Sequence, residues 1–230
     1  MSDSQALRET LASYVPGLFI KSLASQGTPG ETVAEQFLAA VFLADISGFT
    51  ALAEDLAQRG PAGAEELTGL LNDYFGRLIH IVDQHVGEVV KFAGDALLAL
   101  WPSLSDADIE VKAVAILAQR AVQCSQEVFW QLNDFLVLDK YQLTLRMSIG
   151  AGSIRIARVG GRKNRWVLML YGVPLEQVSR AQRHAASRQE LDLARTQHAI
   201  KNIESPNLWS TCIKLPTEVE SEFRRQGPIK

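Results

Sequence analysis

The sequence predicts an α+β fold, a ferredoxin-like sandwich in which helices pack on one face of a mainly antiparallel sheet. Three observations lead there. Residues 37–44 are an unbroken apolar run that stops abruptly at Asp45, as a buried strand does. A hairpin pattern at 88–101 sits between two helical patterns, which argues against a doubly wound parallel sheet. Three further short strands then follow one another, at 141–149, 153–159 and 166–171, before a last helix.

The remaining elements follow from local chemistry. After Asp45-Ile46-Ser47-Gly48-Phe49-Thr50 a helix is expected to about Gln58, ended by Gly60-Pro61. Leu67, Leu70, Leu71, Tyr74, Phe75, Leu78, Ile79 and Val82 keep helical spacing until Gly87. In the hairpin, residues 88–92 and 96–101 are the strands and Ala93-Gly94-Asp95 the tip, with Gly94 free to take a positive φ. Ser105 or Asp106 is placed to cap a helix running through Ala113, Val114, Leu117, Ala121, Cys124 and Val128. Gly150-Ala151-Gly152 reads as a turn between two strands, and Pro174 suits the first turn of a helix reaching toward Ala186. Residues 1–35 are expected to be an N-terminal segment with a short helix near 5–13, 36–186 the main domain, and 187–230 an extension that completes it or links onward, with a strand or helix around 207–214.

Composition narrows the class. The 230 residues are 47% hydrophobic and 21% charged, the balance of a soluble globular domain. A net charge of −3 supplies no drive toward nucleic acid or an anionic membrane. Two cysteines, Cys124 and Cys212, cannot build a disulfide framework and suggest reduced thiols in the cytoplasm. No apolar run approaches the ~18 residues of a spanning helix, and Met1 to Thr10 lacks the apolar core of a signal peptide. His80, His85, His184 and His198 have no metal-ligand spacing with the cysteines. Arg155, Arg158, Arg162, Lys163 and Arg165 form a basic stretch that reads as a solvated loop, because only Trp166 offers a stacking ring.

The chemistry rests on two carboxylates. Asp45 stands where a buried strand gives way to a helix, and Asp95 at a hairpin tip. If the hairpin pairs beside the first strand, both reach one edge of the sheet. Hard divalent ions favour such oxygen ligands together with substrate phosphates, and two ions can clamp the oxygens of an in-line displacement. Residues 46–50 lie between strand and helix, where unpaired N–H groups and Gly48 could cradle a polyphosphate. Each aspartate alone is equally suited to capping a helix or serving a turn.

Residues 42–50, Phe42 through Thr50, resemble the first metal-binding motif of class III adenylyl and guanylyl cyclases. Val90-Lys91-Phe92-Ala93-Gly94-Asp95-Ala96-Leu97-Leu98-Ala99 resembles the second, and 146–152 is similar to the strand and turn that follow. The likeness spans about 37–186 and is closest to the first catalytic half of bicarbonate-responsive soluble adenylyl cyclases and their bacterial relatives. It implies a cyclase fold converting ATP to cyclic AMP and pyrophosphate with two Mg²⁺ or Mn²⁺ ions. It implies that Asp45, Asp95 and the carbonyl of Ile46 bind metal. It further implies that Ser47, Gly48, Phe49 and Thr50 hold phosphate, that Arg146 contacts the terminal phosphates, and that Lys91 serves either the purine or bicarbonate.

The resemblance also implies a site completed at a dimer interface, by a second copy or a homologous cyclase half. There the chain departs from the pattern. Met169 stands at the purine-reading position, where a thioether cannot replace a carboxylate or hydroxyl. Glu176 stands where an asparagine is usual, and Arg180 falls at the spacing of the transition-state arginine. A gap-free match to the soluble cyclases instead puts Ser179 at their bicarbonate-contacting arginine. A symmetric homodimer would carry Met169 and Glu176 at both sites, so weak activity is expected of it. A regulatory half that binds nucleotide without turnover, and a guanylyl cyclase, are the competing expectations.

Overall fold

The computed structural model describes residues 16–18, 34–103, 111–160, 166–185 and 211–213. The expected helix near 5–13, the cap at Ser105 or Asp106 and the loop residues 161–165 lie outside them. The elements run β1 (Ala34–Ser47), α1 (Phe49–Ala57), α2 (Pro61–Gln84), β2 (Glu88–Ala93), β3 (Ala96–Pro102), α3 (Val111–Leu132), β4 (Phe135–Val137), β5 (Tyr141–Gly160), β6 (Trp166–Gly172), α4 (Val173–Ala185) and β7 (Thr211–Ile213). One sheet has the order β2-β3-β1-β5-β4, with β6 and β7 also pairing β5, and every ladder is antiparallel.

β1 is the centre of the sheet because it is apolar on both faces. Ala40, Phe42, Ala44 and Ile46 point into the larger core, with Leu52, Leu56, Tyr74, Leu78, Ile81, Leu117, Ala121 and Val128 from α1, α2 and α3. Ala39 and Val41 point the other way, onto Leu100, Ile154 and Val178 of α4. The fourth helix therefore covers the face opposite the first three, where the sequence suggested one helical face. Its cause is the period-2 alternation of β1: burying both parities of an all-apolar strand needs a layer on each side.

Several boundaries shift. β1 continues through Asp45 to Ser47, three residues past the expected strand end at Ala44, because β5 pairs with it as far as Ser47↔Thr144. The expected turn at Gly150-Ala151-Gly152 is continuous strand within β5. Its glycines serve close packing: a Cβ on Gly150 would lie 2.4 Å from the carbonyl oxygen of Pro174 in α4. Arg155 and Arg158 accordingly belong to β5 and not to a basic loop, and Arg155 Nε donates to Gln36 Oε1 at 3.0 Å. β4 has too few residues for a period signal. β7, inside the expected 207–214 region, pairs with Met147, Ser148 and Ile149.

The hairpin forms as its sequence requires, with Gly94 at φ 66 in a two-residue turn. Its base is pinned by Trp101, whose Nε1 donates to the His85 carbonyl at 2.8 Å and whose ring meets Phe42 edge-on, centroids 6.3 Å apart. His85 in turn contacts Glu127 at 2.7 Å, tying the end of α2 to α3. No helix among the described residues is long and apolar enough to cross a membrane.

Candidate functional site

The site lies at the edge of the sheet where β1, the β2–β3 turn and β5 meet. Asp45 is the cross-strand partner of Ala96 in β3 and of Arg146 in β5. One residue further on, the Ile46 N–H donates to the carbonyl oxygen of Asp95 at 3.2 Å. The two aspartates, fifty residues apart in sequence, are thus held side by side by the β1–β3 ladder. Arg146 completes the group: its Nη2 donates to Asp45 Oδ2 at 2.5 Å, an ion pair whose side chains are 42% and 21% exposed respectively.

The electrostatics agree with that packing. Asp45 is held above the ordinary carboxylate range, chiefly because burial penalises its charge; Arg146 pulls it back down, and the neighbouring Asp95 charge pushes it up again. Asp45, paired with Arg146, and the neighbouring Asp95 together carry one more formal negative charge than the single guanidinium balances.

The loop behind Asp45 is shaped by Gly48. It caps α1 with φ 93, a left-handed conformation, and a Cβ there would lie 2.7 Å from the Gln142 carbonyl oxygen. Among the described residues no side chain caps the first turn of α1, so the first amides of that helix are available to an acceptor from outside. Phe49 packs its ring against the larger core, leaving only its backbone for a ligand, while Thr50 is exposed.

The other expected residues are dispersed. Lys91 is exposed on β2, opposite Leu98, just past an irregularity in the β2–β3 register. Arg180 is exposed on α4, with no ion pair to Asp45 or Asp95 among the described residues. Glu176 is exposed in the first turn of the same helix, and Met169 is 52% exposed on β6, opposite Ala157. Ala157 is eleven positions along β5 from Arg146, a strand distance of about 35 Å at ~3.3 Å per residue.

Two supporting residues escaped the sequence reading. Gln182 Nε2 donates to the carbonyl oxygens of Arg146 at 3.1 Å and Leu43 at 3.5 Å, fixing the backbone beneath the ion pair. Gln177, 8% exposed, accepts from the Ala151 N–H at 2.9 Å. Their one signal is position: both fall on the stripe of α4 that carries Val178 and Ala181.

A divalent ion is tested by these donors. Among the described residues no cluster of three or more His, Cys, Asp or Glu side chains could enclose a metal. Two adjacent carboxylates with excess negative charge do fit an ion of the Mg²⁺ kind, which keeps waters and takes its remaining oxygens from a phosphate substrate.

This architecture, an antiparallel sheet with paired aspartates at one edge, is that of a class III nucleotide cyclase domain. The chain belongs to the adenylate and guanylate cyclase catalytic domain family, whose model matches residues 34–212. It is 29% identical to rat adenylate cyclase type 10 over 212 residues, covering 91% of this chain but 12% of that protein's length. It is 27% identical to adenylate cyclase 1 of Rhizobium meliloti over 67% of this chain and 22% of that protein. The chain therefore spans only a small part of these relatives. A bacterial light-regulated adenylyl cyclase superposes with a TM-score of 0.56 at 19% identity, over 81% of this chain and 50% of that one. A rhodopsin-guanylyl cyclase core of converted specificity, in complex with ATPαS, gives 0.52 at 17% identity, over 78% and 96%.

Proposed function

We propose that the chain is the metal- and phosphate-binding part of an adenylyl cyclase, converting ATP to cyclic AMP and pyrophosphate. The observation that carries this reading is the meeting of Asp45 and Asp95 at one sheet edge, beside Arg146 and the amide-bearing turn 46–50. Asp45, Asp95 and the Ile46 carbonyl hold two Mg²⁺ or Mn²⁺ ions. Such ions, when bound, make the ribose 3′-hydroxyl acidic and neutralise the leaving pyrophosphate. The backbone amides of Ser47, Gly48, Phe49 and Thr50 cradle the triphosphate, and Arg146 balances its terminal charge. The 3′-oxygen forms its bond to the α-phosphorus as the bond to pyrophosphate breaks, and the hydroxyl proton leaves to solvent. The protein's part is positioning and fixed charge.

The base is read from another chain or domain. Met169 sits too far from Asp45 along the sheet to serve the site of its own chain, and Arg180 makes no ion pair with Asp45 or Asp95 among the described residues. A homologous cyclase half with a purine-reading side chain is the partner this reading favours over a second copy. Residues 36–186 form the catalytic domain in this proposal, 1–35 precede it, and 187–230 complete it through β7; the cytoplasm, where ATP is found, is its setting. Lys91, exposed on β2, is reserved for the purine or for bicarbonate. The exposed Met169 and Glu176 favour a second reading, a half that binds nucleotide and regulates its partner. The base-reading position leaves GTP as an alternative substrate.

A cyclic-nucleotide assay with Mg²⁺ or Mn²⁺, ATP or GTP, with and without a candidate second half, tests this. Cyclic AMP is expected with the partner present, falling at least about 100-fold in Asp95→Ala. Product that persists in Asp95→Ala removes the metal mechanism. Nucleotide binding without turnover in every combination selects the regulatory reading.

A further inference from the structure

The guanidinium of Arg146 occupies one carboxylate oxygen of Asp45, the side chain assigned above to a metal ion. Nη2 is 2.5 Å from Asp45 Oδ2, and the two residues are directly paired in the β1–β5 ladder. The contact is not set by the side chains alone. Gln182 of α4 holds the Arg146 carbonyl, and the antiparallel register fixes both Cα positions, so Arg146 is placed against Asp45 by the sheet.

The pairing is incomplete on the arginine side. Arg146 Nε is buried and has no hydrogen-bond partner among the described residues. A guanidinium carries five N–H donors, and a buried one left empty is costly. The observed position therefore satisfies Asp45 better than it satisfies Arg146. A triphosphate beside the 46–50 turn offers several anionic acceptors in a geometry a guanidinium fits with two parallel bonds.

We propose that Arg146 is an internal latch on the metal site: without nucleotide it holds Asp45 closed against divalent ions, and the triphosphate draws it away, so that nucleotide and metal bind cooperatively. This rests on Asp45 and Asp95 being the metal ligands. Linkage then requires reciprocity. Whatever factor the triphosphate gives to metal affinity, the metal gives to triphosphate affinity, and part of that factor belongs to Arg146.

The test is Mn²⁺ binding to the full chain, followed by electron paramagnetic resonance of the free ion, with and without a non-cyclisable ATP analogue. Arg146→Met keeps the apolar stem and removes the charge; Arg146→Lys keeps a charge without the fork. In the absence of nucleotide, Arg146→Met is expected to bind Mn²⁺ about tenfold more tightly than the wild type, which is ~1.4 kcal/mol. The analogue should tighten Mn²⁺ binding strongly in the wild type and much less in Arg146→Met, with Arg146→Lys between them. Should Arg146→Met fail to fold, the wild type and Arg146→Lys still decide the matter, since the latch requires the analogue's effect to differ between them. Equal nucleotide-free affinities, or an analogue effect of the same size in every form, overturn the latch while leaving the metal site intact. Mn²⁺ binding that is absent with the analogue present, or unaffected by Asp95→Ala, overturns the metal site itself and the latch with it.

Discussion

The amide of Ile46 donates to the carbonyl oxygen of Asp95 across 3.2 Å, one residue beyond the last rung, Asp45↔Ala96, of the ladder between β1 and β3. That bond ties the hairpin tip to the strand carrying the first aspartate. The site is therefore as rigid as the sheet edge that bears it, and changes to its backbone should register in stability as well as in ligand binding.

Gly48→Ala is the sharpest such change. The position has φ 93, and the new methyl would meet the Gln142 carbonyl oxygen at 2.7 Å. Left-handed strain alone costs on the order of 1–2 kcal/mol, and the clash adds to it. Urea denaturation should show a loss of about 2 kcal/mol or more; a neutral result would mean that the turn adapts without cost.

Asp45 predicts a pH dependence with a definite sign. Its native pKa lies above the ordinary 3.8, with burial the largest cause. The native state thus holds this proton more tightly than the unfolded state does. Ionised Asp45 weighs against stability at neutral pH, and that burden is relieved as pH falls through the native value toward 3.8. In metal-free buffer, the urea midpoint of the wild type relative to Asp45→Asn should rise as pH falls from 7 toward about 4. A relative midpoint that drops over this range contradicts the assignment.

Cys124 should be chemically silent. It is fully buried in α3, and burial, with Glu127 nearby adding to it, pushes its thiol up to about 12. Alkylation at pH 8 followed by peptide mapping should leave Cys124 unmodified in the native chain and label it after denaturation, because only the thiolate reacts. Rapid native labelling would show that α3 opens from the sheet.

Leu78→Ala tests the larger core. Leu78 is fully buried between α2 and the sheet, in the cluster that includes Phe42 and Leu56. Truncation should cost about 2–5 kcal/mol, read as a lowered denaturation midpoint, with the upper end reached if the rigid sheet prevents collapse into the cavity.

Much of the fold was legible because it is written locally. The α2 stripe from Leu67 to Val82, the Gly94 turn and the apolar block before Asp45 each announce their element through period or turn chemistry. The misreadings have a common origin in pairing partners. The glycines at 150 and 152 carry the usual mark of a turn, yet β5 runs straight through them because α4 packs too closely for any Cβ at 150. β1 outlasts its polar stop because β5 pairs with it beyond Asp45. β4, with three residues, has no period at all.

By itself the sequence determined most of the described helices and the hairpin, the two motifs bearing Asp45 and Asp95, and the family to which they point, because those depend on residue type and short spacing. Only the tertiary structure decided that Arg146 faces Asp45, that Gln182 of α4 supports its backbone, and that Met169, on β6, pairs with β5 far along that strand from Arg146. Cross-strand register and helix packing join residues about a hundred positions apart, and no local pattern encodes which of them will meet.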